Sequence, residues 1–258
     1  MKVIILAGGY GTRLGDITKD VPKPMVMIGE KPIVWHIMKI FSAYGINDFI
    51  LSLGYKQDVI KDFFYHYDFH AGDFSINLGT RDIKNLKYHN ERNWNVFLVN
   101  TGLDTLKGAR IKRVEPYLDD DLTLCTYGDG VADIDIRALI AFHKSHGKIV
   151  TITGVRPPSR FGELVVDGER VSSFSEKPQS SSGLINGGFF VFDKRLLSHL
   201  TPDENCDLEA GVFERLAEAG ELMVYKHPGQ WECVDTERDY KHLNKLWSSN
   251  QAFWKVWK

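Results

Sequence analysis

The chain opens with a buried strand that runs directly into a glycine-rich loop. Residues 3–6 (VIIL) form a short, continuous, β-branched run, which is typical of a strand buried on both faces. A second strand of this kind is expected over residues 48–53. Between them, residues 33–44 carry apolar side chains at helical spacing and stop at Gly45. Strand, helix and strand in this order predict βαβ units around a parallel sheet.

The remaining elements follow from the same two periodicities. Helices are predicted over residues 57–67, 136–146, 209–219 and 239–247. Strands are predicted over residues 95–100, 122–127, 150–155, 163–166, 188–192 and 222–225. A peripheral hairpin or excursion is expected over 69–95, and the aromatic tail at 253–257 should pack on the domain or on a partner subunit. The predicted fold class is α/β and Rossmann-like, with a mixed, mainly parallel sheet, flanking helices and extra C-terminal strands.

Composition excludes several classes of protein. The 258 residues include 32 Lys and Arg against 34 Asp and Glu, a formal net charge of −2. A protein that held nucleic acid through its phosphates would carry a clear basic excess, so we expect no nucleic acid partner. No stretch approaches the roughly 20 apolar residues of a membrane helix, so we expect no membrane partner either. The three cysteines lack CxxC spacing, which predicts neither a disulfide framework nor a zinc site and favours a cytoplasmic location.

The loop of sequence LAGGYGTRL, residues 6–14, suits a phosphate ligand. Its glycines, Gly8, Gly9 and Gly11, permit tight turns and let backbone N–H groups point at phosphate oxygens. It is not a P-loop, because GxxxxGK[ST] is absent, and the third glycine of a dinucleotide fingerprint is misplaced. Arg13 supplies a cation within the loop, which suits a triphosphate whose charge must be neutralised.

A second cation follows ten residues later. Lys23 lies between Pro22 and Pro24, each of which fixes its own φ and biases the preceding residue toward extended backbone. We therefore expect a stiff, non-helical segment that aims the ammonium at a phosphate. The alternative is a rigid loop with a solvated lysine, and the nearby Arg13 favours the functional interpretation.

Asp129 is a candidate magnesium ligand. It follows a buried strand and lies between Gly128 and Gly130, at the kind of strand end where open α/β sheets bind ligands. Mg²⁺ prefers carboxylate and phosphate oxygens and usually takes only one or two carboxylates from protein. The alternative for Asp129 is a turn residue at the end of a strand.

An ordered set of motifs along almost the whole chain resembles the sugar-1-phosphate nucleotidylyltransferases. The set begins with LAGGYGTRL, PKPM and IGEKPIVWHIMK, and the end of this run is similar to the glucose-1-phosphate cytidylyltransferase branch. It continues with GARIKRV (108–114), YGDGVAD (127–133), RFG (160–162), EKP (176–178), INGGFF (185–190) and Asp235-Thr236. The resemblance implies one domain, 1–258, with a nucleotide-binding half at 1–130 and a sugar-phosphate-binding half at 131–258.

The resemblance also implies the reaction. A nucleotidyl group would pass from CTP to a sugar 1-phosphate, most of all α-D-glucose 1-phosphate, giving CDP-glucose and pyrophosphate. Mg²⁺ is the implied cofactor, held by Asp129 and Asp235, and a homo-oligomer is expected. An N-cap of the C-terminal helix is the alternative for Asp235. Other functions stay open: another sugar 1-phosphate, UTP or dTTP, or a non-catalytic subunit that binds nucleotide sugar. A dinucleotide-dependent oxidoreductase is disfavoured by the glycine spacing.

Site residues follow from the matched motifs. The catalytic set is Arg13, expected on the β,γ-phosphates, Lys23, expected on the α-phosphate or the incoming phosphate, and Asp129. The nucleotide is expected to contact Leu6, Gly8, Gly9, Gly11, Thr12, Arg13, Lys23, Gly108, Arg110, Tyr127 and Gly128. The sugar phosphate is expected to contact Gly162, Glu176, Lys177 and Asn186. Arg110 is expected to read cytosine O2 and N3, or to serve as a structural ion-pair partner.

The chain departs from the cytidylyltransferase pattern at three places. Ala109 stands in the usual Gly-Gly-Arg, residues 207–212 lack a second glutamate and a proline, and residues 230–234 differ from the usual Phe-Trp-Gln-Pro-Met. The phosphate and metal residues are intact, so the reaction class is better supported than the identity of the sugar.

Overall fold

Short apolar strands build the centre of the molecule. The computed structural model describes residues 1–157, 163–167, 169–175 and 183–257. Its strands are β1 (Lys2–Ala7), β2 (Met27–Ile28), β3 (Lys31–Pro32), β4 (Asp48–Leu53), β5 (Asp73–Ile76), β6 (Ile83–Lys87), β7 (Asn95–Asn100), β8 (Leu122–Tyr127), β9 (Gly130–Ala132), β10 (Val150–Val155), β11 (Glu163–Asp167), β12 (Arg170–Ser175), β13 (Ile185–Asn186), β14 (Phe190–Asp193), β15 (Leu222–Lys226) and β16 (Trp231–Cys233). Its α-helices are α1 (Ile33–Ser42), α2 (Gln57–Tyr65), α3 (Tyr67–Ala71), α4 (Lys107–Arg113), α5 (Ile136–His146), α6 (Glu214–Glu218) and α7 (Glu237–Ser248).

The main sheet, as described, has eight strands in the order β13-β10-β14-β8-β1-β4-β7, with β15 beside β10. β1 lies parallel to β4 and β8, and β4 lies parallel to β7. The C-terminal strand β14 pairs antiparallel with both β8 and β10, and β13 pairs antiparallel with β10. The predicted fold class is therefore confirmed: a mixed, mainly parallel sheet carries extra C-terminal strands.

Both faces of the sheet are covered, which explains the continuous apolar sequence of β1. Successive side chains of a strand point to opposite faces. Val3 and Ile5 accordingly pack in a core with residues of α1, α5 and α7, whereas Ile4 and Leu6 pack in a second core with residues of α4 and α6. Each of these four side chains is buried. The carboxyl end of β1 is thus held rigidly between two layers of helices.

The polar stretch after α3 forms a peripheral hairpin, as predicted. Its strands β5 and β6 pair antiparallel in a two-stranded sheet of their own. The side chains of both strands are exposed, including Phe74 and Ile83. The hairpin does not contribute to the core.

The helix predicted over residues 209–219 is interrupted. Leu208–Phe213 forms one wide, π-type turn in which Ala210 has ψ 110° and Gly211 has φ +102°, and α6 begins only at Glu214. Glycine adopts a positive φ without a steric penalty, so Gly211 breaks the helix where the periodicity of the apolar residues continues. The continuous helix was therefore a wrong prediction.

The aromatic tail packs on the domain. Trp254 is fully buried, and its ring lies 6.2 Å from the ring of His36 on α1 and 6.4 Å from that of Trp247 on α7. Of the helices in the described part of the chain, none combines the length and apolar character needed to cross a membrane.

Candidate active site

The carboxyl ends of β1 and β8 open onto a cavity of about 550 Å³. This volume is within the range of small-molecule sites. The cavity contains most of the residues predicted to bind nucleotide or metal: Leu6, Gly8, Gly9, Gly11, Thr12, Arg13, Lys23, Arg110, Tyr127, Gly128, Asp129 and Asp235. Ala7, Tyr10, Pro24 and residues 103–107 line it as well. Residues distant in the sequence thus meet at the edge of the sheet where α/β proteins bind ligands.

The glycine loop turns sharply at Gly11. This residue has φ +67° and ψ 27°, and a 3₁₀ helix, Thr12–Thr18, begins directly after it. The Thr18 hydroxyl donates to the Gly11 carbonyl oxygen across 3.0 Å. A Cβ at Gly11 would lie 3.0 Å from Cβ of Lys23. The glycine is therefore needed twice, for its left-handed backbone and for the close approach of Lys23.

Lys23 contacts both predicted metal ligands. Its Nζ donates to Oδ2 of Asp129 at 2.7 Å and to Oδ1 of Asp235 at 2.9 Å. The segment is one turn of 3₁₀ helix, Lys23–Met25, so our prediction of a non-helical segment was wrong there. Pro22 is extended with ψ 153° and precedes the turn, and a proline fits the first turn of a helix. The turn still gives the lysine a fixed backbone, as expected.

A small antiparallel sheet brings the two aspartates together. Asp129 directly precedes β9, Asp235 lies two positions after the end of β16, and Gly130 of β9 pairs with Cys233 of β16. The N–H of Val234 also donates to the Asp129 carbonyl oxygen across 2.9 Å. Because the strands run in opposite directions, the residue before one lies beside the residues after the other. The β9–β16 pair therefore places both carboxylates on one wall of the cavity.

Asp235 is not the cap of the C-terminal helix. That cap is Thr236, whose hydroxyl accepts the N–H of Asp239 while the Asp239 carboxylate accepts the N–H of Thr236. This reciprocal pair is a capping box. The Asp235 carboxylate instead accepts hydrogen bonds from Arg13 and Lys23.

The charges of this cluster reinforce one another. Burial opposes the charge of Lys23, but Asp129 and Asp235 outweigh that effect and raise the pKa of the ammonium. Burial likewise opposes ionisation of Asp235, but Lys23 and Arg13 hold the pKa of this carboxyl below its ordinary value. Both groups are therefore charged near neutral pH, and Arg13, largely exposed, adds a second cation at the mouth of the site.

The comparisons with known proteins identify the family. The nucleotidyl transferase family model matches residues 2–249. The chain is 47% identical to the glucose-1-phosphate cytidylyltransferase of Salmonella typhi and 43% identical to the probable glucose-1-phosphate cytidylyltransferase of Bacillus subtilis, and each alignment covers all of both chains. The chain belongs to the nucleotidyl transferase family. The crystal structure of HddC from Yersinia pseudotuberculosis complexed with GMP-PN aligns with a TM-score of 0.69 at 25% identity, over 95% of this chain and 99% of that one.

In this nucleotidyl transferase, Arg110 braces the walls of the cavity. Its terminal nitrogens donate to the carbonyl oxygens of Leu53, Gly102, Gly8 and Leu103 and to the hydroxyl of Thr101, at 2.8–3.1 Å. The side chain is buried, with a relative exposure of 4%. A planar guanidinium has donors in a rigid fork and can join several backbone segments at once. Arg110 thus ties the glycine loop to β4 and to residues 101–103.

The remaining predicted contacts of this nucleotidyl transferase are Gly108, Asn186, Gly162, Glu176 and Lys177. Gly108 is not brought to the cavity, because it lies where α4 packs closely on residues 206–207, and a Cβ there would come within 2.8 Å of the Cys206 carbonyl oxygen. Asn186 reaches the site indirectly, since its Nδ2 donates to the Tyr127 hydroxyl at 2.9 Å. Gly162, Glu176 and Lys177 lie outside the described residues.

The sequence motifs did not indicate Lys107 or Glu209 as site residues. Lys107 lines the cavity one position before the GARIKRV motif, and Glu209 lies behind the wall against Tyr127. The one signal in the sequence is their position beside or within segments that the motifs single out. Lys107 directly precedes GARIKRV, and Glu209 lies in residues 207–212, which depart from the cytidylyltransferase pattern. Glu209 contacts Lys107 and Tyr127, which come from different elements, so these contacts follow from the fold and not from the local sequence.

Proposed function

We propose that the chain transfers the cytidylyl group of CTP to α-D-glucose 1-phosphate, giving CDP-glucose and pyrophosphate. The observation that carries the proposal is the convergence of Arg13, Lys23, Asp129 and Asp235 on the glycine-loop cavity. Family membership supports nucleotidyl transfer in general. The cytidine and glucose specificities rest on the full-length similarity to two glucose-1-phosphate cytidylyltransferases.

The step is a direct displacement at phosphorus. A phosphate oxygen of the sugar 1-phosphate attacks the α-phosphorus of the nucleotide, the bond to the β-phosphate oxygen breaks, and pyrophosphate leaves with the electron pair. The attacking oxygen is already anionic, so the protein need not supply a nucleophile. Its contribution is orientation and neutralisation of charge.

The roles of the cations follow from where they lie. We assign the leaving β,γ-phosphates to Arg13 and to the N–H groups of the glycine loop, with Gly8, Gly9, Gly11 and Thr12 as its contacts. Lys23 lies deeper, with only 15% of its side chain exposed, and we assign it to the α-phosphate or the incoming phosphate. Both cations now contact carboxylates, and substrate phosphates would compete for them.

Mg²⁺ fits the pair of aspartates. No group of three or more His, Cys, Asp and Glu side chains suited to a metal occurs among the described residues. Two carboxylates are nevertheless enough for Mg²⁺, which takes its other ligands from phosphates and water. The Lys23 ammonium supports the assignment, because a compact cation already fits between Asp129 and Asp235. When bound, Mg²⁺ would neutralise phosphate charge and orient the nucleotide.

The base and the sugar are assigned to different walls. Arg110 already donates to five oxygens of the cavity walls, so we do not assign it to hydrogen bonding with cytosine. We assign it instead to shaping the pocket for the base, which Leu6, Tyr127 and Gly128 also line. Asn186 is assigned to the sugar, together with Gly162, Glu176 and Lys177. Residues 1–130 would then hold the nucleotide and 131–258 the sugar phosphate. A homo-oligomer in the cytoplasm stays a prediction.

Pyrophosphate release tests the proposal. The protein is incubated with Mg²⁺ and glucose 1-phosphate, and CTP, UTP, dTTP, ATP and GTP are compared in parallel. Release with CTP well above the others is the expected result, and a preference for another nucleotide would contradict the cytidine assignment. Release only when glucose 1-phosphate is replaced by mannose or galactose 1-phosphate would contradict the glucose assignment. A non-catalytic nucleotide-sugar-binding subunit would release none, although the intact Arg13, Lys23 and Asp129 argue against it.

A further inference from the structure

One carboxylate oxygen joins two residues of the cavity wall. Oε1 of Glu209 accepts the Tyr127 hydroxyl at 2.6 Å and the Lys107 ammonium at 2.5 Å. The same ammonium lies 4.9 Å from the centre of the Tyr127 ring, within the range of a cation–π contact. Lys107 and Tyr127 both line the cavity, and they come from α4 and β8. Glu209 thus holds the two together from behind the wall.

The charge of Glu209 also sets the direction of the next hydrogen bond. An ionised carboxylate only accepts, so the Tyr127 hydroxyl must donate to it. The hydroxyl oxygen is then left to accept from Nδ2 of Asn186, at 2.9 Å. Oδ1 of Asn186 accepts the N–H of Gly188 at 3.0 Å, which agrees with this orientation of the amide. Burial and the Glu209 charge raise the pKa of Tyr127 far above its ordinary value, so the hydroxyl keeps its proton.

The backbone around Glu209 is fixed on both sides. The Asp207 carboxylate accepts the N–H of Glu209 at 2.9 Å, and the Glu214 carboxylate accepts the N–H of Gly211 at 3.0 Å. The left-handed Gly211 interrupts the helix two residues after Glu209. The side chain therefore extends from a short turn whose backbone is capped by carboxylates before and after it.

We propose that Glu209 is a positioning residue that couples the nucleotide side of the cavity to the sugar side. It fixes Lys107 on the nucleotide side and, through Tyr127, orients the Asn186 amide on the sugar side. The sugar side of this inference rests on the function proposed above for Asn186. An amide nitrogen has two hydrogens, and Tyr127 uses one. The other would then donate to a ligand, and the hydroxyl oxygens of a sugar are suitable acceptors.

Four variants separate this role from a structural one. Glu209→Gln keeps the shape but removes the negative charge that pairs with the Lys107 ammonium. Its amide can also donate to the Tyr127 hydroxyl and so compete with Asn186. It should raise the KM for nucleotide and the KM for sugar 1-phosphate by roughly tenfold each, with kcat changed less than about threefold. Tyr127→Phe should raise only the sugar KM, and Lys107→Met only the nucleotide KM. The double variant Lys107→Met/Glu209→Gln should have the nucleotide KM of Glu209→Gln alone.

Glu221→Gln is the matched control. Glu221 pairs with Lys148 at 3.0 Å, and the exposures of that pair, 39% and 27%, are close to the 48% and 33% of Lys107 and Glu209. Its kinetic constants should equal those of the wild type. Constants for Glu209→Gln equal to those of the control, or a loss of kcat with both KM values unchanged, would overturn the proposal. If Glu209→Gln does not fold, unchanged KM values in both Tyr127→Phe and Lys107→Met would overturn it.

The test does not depend on the nucleotide and sugar proposed above. Each ratio of variant KM to wild-type KM is measured with the nucleotide and sugar 1-phosphate that the wild type turns over fastest. A wrong substrate assignment therefore appears in the wild type, and a wrong role for Glu209 appears in the variants. If the wild type turns over no pair, calorimetric titration with CTP measures the nucleotide side: roughly tenfold weaker binding by Glu209→Gln and Lys107→Met is expected, and equal binding by all three proteins overturns the proposal.

Discussion

The ammonium of Lys23 donates to Oδ2 of Asp129 across 2.7 Å, although 106 positions separate the two residues in the chain. The same ammonium contacts Asp235, so one cation lies between two carboxylates. Opposite charges this close, and largely shielded from water, interact more strongly than exposed pairs do. A phosphate or a metal ion that entered the cavity at this point would compete with the contact.

Replacing Asp129 by asparagine should remove activity and leave the fold. Asparagine keeps the shape but loses the charge, and Lys23 keeps Asp235 as a partner. We expect kcat to fall at least about a hundredfold, which is typical when one charge-stabilising group of an active site is removed. Pyrophosphate release measures kcat, and the thermal midpoint checks folding. Asp121→Asn is the control, because Asp121 is exposed and pairs with Lys194 away from the cavity. A rate near that of wild type in Asp129→Asn would exclude Asp129 from the site.

The position of Asp129 could be predicted from the sequence, whereas its meeting with Asp235 could not. A buried strand ending in Gly-Asp-Gly predicts a ligand site at the end of that strand. The meeting depends on the pairing of β9 with β16, and strands of three residues carry too little pattern to predict a partner about 100 residues away. Asp235 was therefore expected only through resemblance to a family. The local order of β1, glycine loop and α1 was predictable, because each element has its own periodicity.

The role of Arg110 shows a second limit. The sequence shows an arginine on a predicted nucleotide wall, and nothing in it shows that four carbonyl oxygens from separate segments surround the guanidinium. Burial of an arginine is decided by tertiary contacts that have no sequence period. The break of the helix at Gly211 is similar, since apolar spacing continues across a residue whose positive φ stops the helix.

Gly8 and Gly9 should differ sharply when replaced by alanine. A Cβ at Gly8 would lie 2.2 Å from an Arg110 terminal nitrogen, whereas a Cβ at Gly9 would meet nothing within 4 Å. Gly8→Ala must therefore displace Arg110 from its hydrogen bonds, and we expect a loss of about 2–4 kcal/mol in the free energy of unfolding. Gly9→Ala should stay within about 1 kcal/mol of wild type. Urea unfolding of both variants measures the difference, and equal stabilities would show that Arg110 does not brace the loop.

Replacing Trp254 by alanine should destabilise the whole domain. The indole is fully buried in the core that also contains α1, and its Nε1 donates to Nδ1 of His36. Removing it leaves a large cavity, so the free energy of unfolding should fall by about 3–5 kcal/mol. Val256→Ala, at an exposed position of the same tail, should change it by less than about 0.5 kcal/mol. Similar losses for the two variants would mean that the tail is not docked as described.

Stability should decrease in mild acid because of His36. Its Nε2 donates to the Ile28 carbonyl oxygen at 2.9 Å, and its Nδ1 accepts from Trp254, so the buried ring is neutral. Burial lowers the pKa of His36 to about 4, although the backbone hydrogen bonds oppose this. Between about pH 6.5 and 4 the unfolded chain binds the proton and the folded chain does not. The stability contributed by the neutral His36 is therefore fully present above pH 6.5 and is lost as the pH falls toward 4.

The loss due to His36 should be about 2–3 kcal/mol between pH 7 and 4.5, since each unit of pKa difference corresponds to about 1.4 kcal/mol. The free energy of unfolding is measured in urea at both pH values for the wild type and for His36→Gln, whose amide can make the same two hydrogen bonds without titrating. The variant should be less stable at pH 7 but should lose about 2–3 kcal/mol less on acidification. His70→Gln, at an exposed position, should follow the wild type. An equal loss in wild type and His36→Gln would mean that this histidine is not held neutral by its packing against Trp254.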